Sequence, residues 1–176
     1  MESRIVERGE TVLAGMSFFG NPFSQASAWD ADNEIGALWK RFMAFLADVP
    51  GAIRERAGPE GVMYELHAYA SETPRTGRYE VFVGVEVSRS AAIPVFCSLK
   101  IIPAGEYVLV TAHGVEIRQD WTAWSDRIAD QCLGSAGRTA SNAFVVEVYD
   151  RRFKGMDRLE ESELDFLVPL EALGKG

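Results

Sequence analysis

The sequence predicts an α+β fold made of duplicated βαββ units with pseudo-twofold symmetry, antiparallel sheets and two helices flanking a central pocket. Three observations carry that expectation. The segment Gly9-Glu10-Thr11-Val12-Leu13 returns as Gly105-Glu106-Tyr107-Val108-Leu109. Each copy is followed by the same order of patterns: strand, amphipathic helix, strand, strand. The chain has 176 residues, 47% of them hydrophobic, enough for one well-filled core and barely enough for two.

The elements follow in order. Val12 to Phe19 reads as a strand and is closed by Gly20-Asn21-Pro22. Asn33 is a good N-cap, with Glu34 behind it in the first turn. From there Ile35, Leu38, Trp39, Phe42 and Leu46 recur at helical spacing and mark one apolar face. Pro50-Gly51 ends that helix near Asp48. Val62 to Ala70 and Tyr79 to Val87 are strand-like, separated by the turn-rich stretch from Ser71 to Arg78. The second copy runs from Val108 to His113. A helix capped by Asp120 then carries Trp121, Trp124, Ile128 and Cys132 and stops at Gly134 and Gly137. Phe144 to Asp150 and Leu164 to Leu170 complete it. The expected organisation is one unit over 1–176, with repeats at about 6–87 and 102–170 and a connection at 88–101. Tyr79 to Val83 matches Leu164 to Val168, and His67-Ala68-Tyr69 matches Glu147-Val148-Tyr149.

Composition narrows the function. The net charge is −8 and the longest basic cluster is Arg151-Arg152 with Lys154, which argues against direct nucleic-acid binding. No apolar run approaches the roughly 18 residues of a membrane span, and the N-terminus carries no apolar leader, so a cytoplasmic protein without membrane contact is expected. Cys97 and Cys132 form neither a disulfide framework nor a metal site and read as small buried hydrophobes. There is no nucleophile elbow, phosphate loop or dinucleotide turn, and the two separated histidines make no metal-ligand pattern. Neither cofactor nor metal is expected.

Glu147 stands out chemically. In Phe144-Val145-Val146-Glu147-Val148-Tyr149, alternation places Val145, Glu147 and Tyr149 on one face and three apolar residues on the other. Both faces are apolar except for Glu147 and the Tyr149 phenol, so a buried carboxylate is expected. Such a group needs a partner or a proton. No lysine or arginine is evident on the neighbouring strands. A cationic ligand would satisfy it, and so would exposure to solvent on an open sheet face. Aromatic residues Trp39, Phe42 and Trp124 on the helices, and Tyr64, Tyr69, Phe82, Tyr107 and Tyr149 on strands, are candidates for walls around that carboxylate. Most of them serve equally well as core. His67, matched to Glu147 in the repeat, is a candidate pocket base and equally a core histidine.

These segments resemble a known family. Ile35 to Phe42, Gly84-Val85-Glu86-Val87, Ile102-Pro103-Ala104-Gly105-Glu106-Tyr107, Trp124 to Ile128, Phe144 to Asp150 and the Val168-Pro169 ending are similar to the gyrase-inhibitor-like effector-binding domain. That domain also occurs in AraC-type and other drug-sensing regulators. The nearest pattern is the stand-alone form found among integron-cassette proteins that bind cationic drugs. The resemblance covers about Val6 to Leu170. It implies two βαββ units around a hydrophobic pocket, with a pocket glutamate at Glu147, Tyr149 nearby and Trp39 on the helix. It also implies a protein that senses or sequesters amphipathic aromatic or cationic small molecules. One branch implies an alternative: hydrolysis of reactive cyclopropane-type compounds, with Glu147 as base and Tyr149 as donor. A protein-binding inhibitor is a third reading.

Overall fold

The computed structural model describes residues 2–24, 33–53, 56–118 and 138–171. Eight strands form one antiparallel sheet: β1 (Glu2–Arg8), β2 (Thr11–Gly20), β3 (Met63–Ala68), β4 (Tyr79–Glu86), β5 (Ser98–Ile102), β6 (Gly105–His113), β7 (Phe144–Tyr149) and β8 (Glu163–Pro169). Helix α1 (Glu34–Asp48) lies between β2 and β3, and the short α2 (Thr73–Thr76) closes the turn between β3 and β4. The Asn33 side chain caps α1 by accepting from the Gly36 amide at 2.8 Å. The expected second helix, with Trp121, Trp124, Ile128 and Cys132, lies outside the described residues.

Across the sheet the strands run β1-β6-β8-β7-β3-β4-β2-β5. From the central β7–β3 pair outward, the order β7-β8-β6 on one side mirrors β3-β4-β2 on the other. That is the predicted twofold relation between units. The matched segments set a different register from the one sequence similarity suggests. Gly9 and Gly105 begin equivalent runs, which carries Gly15 onto Thr111. Their partners are Gly84 and Asp165, so Gly84 corresponds to Asp165 rather than Tyr79 to Leu164.

Strands β1 and β5 add to the predicted pattern. β5 falls largely in the stretch read as a connection. Each pairs with the other unit, β1 with β6 and β5 with β2, so the repeats exchange a strand. This exchange forces curvature. β1 and β2 stand six places apart in the sheet, which is about 29 Å in a flat one. Only Gly9 and Glu10 join them, and three Cα steps reach about 11 Å. The same holds for β5 and β6, joined by Pro103-Ala104. The sheet therefore bends until its two outer regions approach each other.

The bend creates one continuous core on its inner face. Leu13, Tyr64, Leu66, Phe82, Ile102, Tyr107, Val146 and Leu167, from both units, form a single cluster there. The outer face carries two clusters. In the first unit α1 lays Leu38 and Phe42 on Val12, Ala14, Val81, Val83 and Val85. In the second, Val108, Val110, Val145, Phe166 and Val168 pack against Leu159 and Ile117. The central strands β3 and β7 run between these two clusters.

Gly15 and Gly84 face each other across β2 and β4. A methyl group at Gly15 would lie 1.9 Å from the Val83 carbonyl oxygen, so only glycine allows this approach. Gly15→Ala is expected to destabilise the fold by about 1–3 kcal/mol, the usual cost of overpacking. A denaturant midpoint equal to that of the parent protein would show that the strands can spread without cost.

Candidate functional site

The site begins with the register of the two central strands. β3 and β7 pair so that Glu65 stands directly opposite Glu147. Both side chains project onto the α1 face, between the two outer clusters. Glu65 is 2% exposed and Glu147 is 3% exposed. Two residues along β3, His67 projects from the same face. The position across from Glu147 is thus held by Glu65, whereas His67 faces Val145. The repeat match shifts as well: Tyr64 pairs with Gly84 and Val148 with the equivalent Asp165, so Met63, and not His67, corresponds to Glu147.

Each carboxylate has its own partners. The Trp39 indole N–H, from α1, donates to Glu65 Oε2. His67 Nε2 lies 2.5 Å from Glu65 Oε1. The Tyr149 hydroxyl, two residues beyond Glu147 on the same face, donates to Glu147 Oε2 at 2.7 Å. Trp39 and Tyr149 meet edge to face with ring centres 4.8 Å apart, and Tyr149 meets Phe153 the same way at 4.9 Å. The result is an aromatic row, Trp39–Tyr149–Phe153, lying beside an acidic pair.

Burial pushes the Glu147 carboxyl up to about 8, and the negative charge of Glu65 adds to the effect; His67 and the Tyr149 hydrogen bond oppose it. Burial alone would push His67 down. The hydrogen bond and charge of Glu65, helped by the charge of Glu147, outweigh it and leave the imidazole above its ordinary value. Burial and the two carboxylates hold the Tyr149, Tyr69 and Tyr79 phenols above theirs, so all three remain hydrogen-bond donors at neutral pH.

A cavity of about 430 Å³ opens over this group. Ile35, Trp39 and Met43 of α1 form one wall, and Phe153 and Met156 form the other. Met63, Glu65 and Tyr149 supply the sheet side. Glu65 lines the cavity itself, while Glu147 lies beside it behind the Tyr149 hydroxyl. The wall carrying Phe153 is held by Arg152, whose guanidinium bonds Asp150 at 3.0 Å and Asp165 at 2.6 Å. Lys154 N donates to the buried Ser162 Oγ at 2.9 Å and fixes the loop further along.

The other aromatic candidates lie elsewhere. Phe42 is fully buried under α1, in the first-unit cluster. Tyr64, Phe82 and Tyr107 belong to the inner-face core; Tyr64 donates to Glu86 at 3.1 Å and Tyr107 to the Pro103 carbonyl at 2.6 Å. Strand alternation turns all three away from Glu147. Tyr69 and Tyr79 meet in a tilted contact with ring centres 5.3 Å apart, near His67 and outside the cavity wall. Trp124 is not among the described residues. Cys97 is a free, half-buried thiol.

Glu65 is the residue that sequence reasoning missed. In Met63-Tyr64-Glu65-Leu66-His67 the face with Glu65 and His67 resembles an ordinary solvated strand face. The separation of the histidines along the chain also argued against a metal-ligand set. The sheet nevertheless brings donor atoms of Glu65, His67 and Glu147 within 4.8 Å of one another. Two carboxylates and an imidazole suit a divalent ion such as zinc in number and type. Hydrogen bonds from Trp39, His67 and Tyr149 account for the same arrangement without one.

The protonation states have a consequence for stability. A carboxyl raised in the folded state stabilises the fold below its unfolded value near 4.5, and that contribution is lost as pH rises towards about 8. His67, also raised, has the same sign: its contribution is present below 6.5 and is lost as pH rises through its folded value. The ligand-free protein should therefore lose stability from these groups on going from about pH 5 to pH 8.5. Because glutamine mimics the protonated acid, Glu147→Gln should match the parent Tm at the acid end and exceed it at the alkaline end. A Tm difference that stays constant with pH would contradict the assignment.

Comparison with known proteins agrees with this architecture. A family model for Cass2, integron-associated effector binding protein, matches residues 4–170. The transcriptional regulator BrlR of Pseudomonas aeruginosa is 28% identical over 173 residues; the chain spans 97% of itself and 56% of BrlR in that match, little more than half of the regulator. The structure of SAV2435 bound to tetraphenylphosphonium superposes with a TM-score of 0.67 at 15% identity, covering 98% of this chain and 95% of that one. The integron cassette protein VCH_CASS2 from Vibrio cholerae superposes with a TM-score of 0.60 at 16% identity, covering 96% of this chain and 95% of that one. At these identities the two structures speak for the fold, and the family model for membership. No helix among the described residues is long and apolar enough to cross a membrane. The chain, with its paired units and central acidic pair, belongs to the Cass2 family of integron-associated effector-binding proteins.

Proposed function

We propose that the protein binds lipophilic aromatic cations in the cavity between α1 and the Phe153 loop, as a sensing or sequestering module. One observation carries this reading: two buried carboxylates face each other beside an aromatic-walled cavity, with one histidine to balance them. A volume of about 430 Å³ is within the range for a drug-sized ligand. Trp39, Tyr149 and Phe153 offer ring faces and edges for stacking and cation–π contact, and Met43 and Met156 adapt to different shapes. The tetraphenylphosphonium complex of the similarly folded SAV2435 supports the choice of ligand class and supplies a convenient probe.

The test is titration of the protein with tetraphenylphosphonium, followed by tryptophan fluorescence. Saturable quenching is expected, since Trp39 lines the cavity. Trp39→Ala should weaken binding by roughly 5–30-fold, about the worth of a desolvated cation–π contact with loss of packing. Trp39→Phe keeps an aromatic ring but removes the N–H donor to Glu65 and part of the ring surface, so it should lose less affinity than the alanine variant. Mass spectrometry should recover the ligand unchanged. Conversion of a bound compound would instead favour the hydrolase reading, with Glu147 and Tyr149 as acid–base pair. Equal affinity in folded Trp39→Ala and parent protein would remove α1 from the site.

A further inference from the structure

We infer that the site exchanges one proton for each monocation it binds, the proton leaving the Glu65–Glu147 pair for solvent. This rests on the cation-binding reading above and concerns how that site keeps its charge balanced.

The geometry sets the charge count. Glu65 and Glu147 are direct cross-strand partners, and both are buried. Like charges at such a position in a low-dielectric interior repel strongly. Among the described residues, several elements supply groups that face the pair. β3 supplies His67, within ion-pairing distance of Glu65. β7 supplies the Tyr149 phenol, a neutral donor to Glu147. α1 supplies the neutral Trp39 indole, and Lys40 lies on the cavity wall. Tyr69 and Tyr79 contribute neutral phenols near His67, and Asp150 on the cavity wall is paired with Arg152. Among the described residues no Lys, Arg or His comes within ion-pairing distance of Glu147.

Among the described residues, the one cation within ion-pairing distance of the pair, His67, therefore balances one of two carboxylates. The pair is neutral overall when His67 is protonated, Glu65 ionised and Glu147 protonated. A monocation entering beside Glu65 and Tyr149 adds one positive charge. Release of the Glu147 proton to water restores neutrality: the O–H bond breaks, its electron pair stays on the carboxylate, and the bound cation occupies the place of the proton in the charge balance. A buried site strongly favours a neutral state before and after binding. Affinity for monocations should accordingly rise with pH while the fold itself loses stability.

The experiment is isothermal titration calorimetry with tetraphenylphosphonium, a permanent cation with no proton of its own, in buffers of different ionisation enthalpy. At about pH 6.5 the apparent enthalpies should differ by an amount equal to nearly one proton released per ligand. Affinity should rise close to tenfold per pH unit between about pH 5.5 and 7 and level off above about 8. The double variant Glu65→Gln/Glu147→Gln, with no carboxyl left to supply a counter-charge, should bind more weakly, release no proton and show no such rise. Tight parent binding with buffer-independent enthalpy and a flat pH profile would overturn the exchange while leaving the cation site intact. No binding at any pH would overturn the cation site and the exchange with it.

Discussion

Glu147→Gln is expected to weaken tetraphenylphosphonium binding by roughly 10–150-fold, the equivalent of about 1.5–3 kcal/mol for a lost interaction with a charged group. The substitution keeps the shape of the side chain and lets its amide oxygen accept from the Tyr149 hydroxyl, so Trp39 and Tyr149 keep their contact. What it removes is the second negative charge. With Glu65 already balanced by His67, the bound cation would then lack a counter-charge. Neutral aromatic compounds of similar size depend on the rings and on apolar burial, so they should lose far less. Equilibrium dialysis with matched charged and neutral ligands separates the two. Equal losses for both would point to damage to the pocket wall and away from a charge effect.

Phe42→Ala should produce the largest loss of stability, about 3–5 kcal/mol, because a fully buried ring is replaced by a cavity. Phe42 is the centre of the contact between α1 and the first-unit sheet, packed with Leu38 on Val81, Val83 and Val85. One turn earlier on the same helix, Trp39 reaches Glu65. The helix thus has two jobs on adjacent positions: Phe42 anchors it and Trp39 serves the site. In urea the midpoint should fall with an unchanged slope, as expected when stability changes without a change in the surface exposed. Trp39→Ala should show the opposite balance, a smaller stability loss with a marked affinity loss. If the two variants behaved alike, anchoring and binding would not be separable along α1.

Much of this was legible in the sequence because it rests on local rules. The bounds of α1 follow from Asn33, Glu34 and Pro50 at its ends and from the spacing of Leu38, Trp39 and Phe42 between them. Glu147 is conspicuous because both faces of its strand are apolar. The paired βαββ order is visible because the Gly9 and Gly105 segments reappear with the same patterns behind them. What escaped depends on long-range pairing. β5 alternates over Ser98-Leu99-Lys100-Ile101 but exposes Leu99 and Ile101, in a stretch that reads as a connection, and nothing local says that β1 and β5 cross to the opposite unit. Glu65 sits in a strand whose polar face looks solvated until β7 is laid against it. Aromatic identity also failed to distinguish wall from core. Tyr64, Phe82 and Tyr107 have ligand-like chemistry, yet alternation and the bend of the sheet commit them to the inner core, where their packing joins the two units.

The central claim is that an organic cation lies against the acidic pair, between α1 and the loop that carries Phe153. A crystal structure of the complex with tetraphenylphosphonium tests it most directly. One phosphonium is expected in the cavity, its phenyl rings against Trp39, Tyr149 and Phe153 and its phosphorus within about 6 Å of a carboxylate of Glu65 or Glu147, the reach of a cation to its partners in such sites. A phosphonium bound on the inner face of the sheet or at the protein surface, with Glu65 and Glu147 still hydrogen-bonded only to Trp39, His67 and Tyr149, would contradict it.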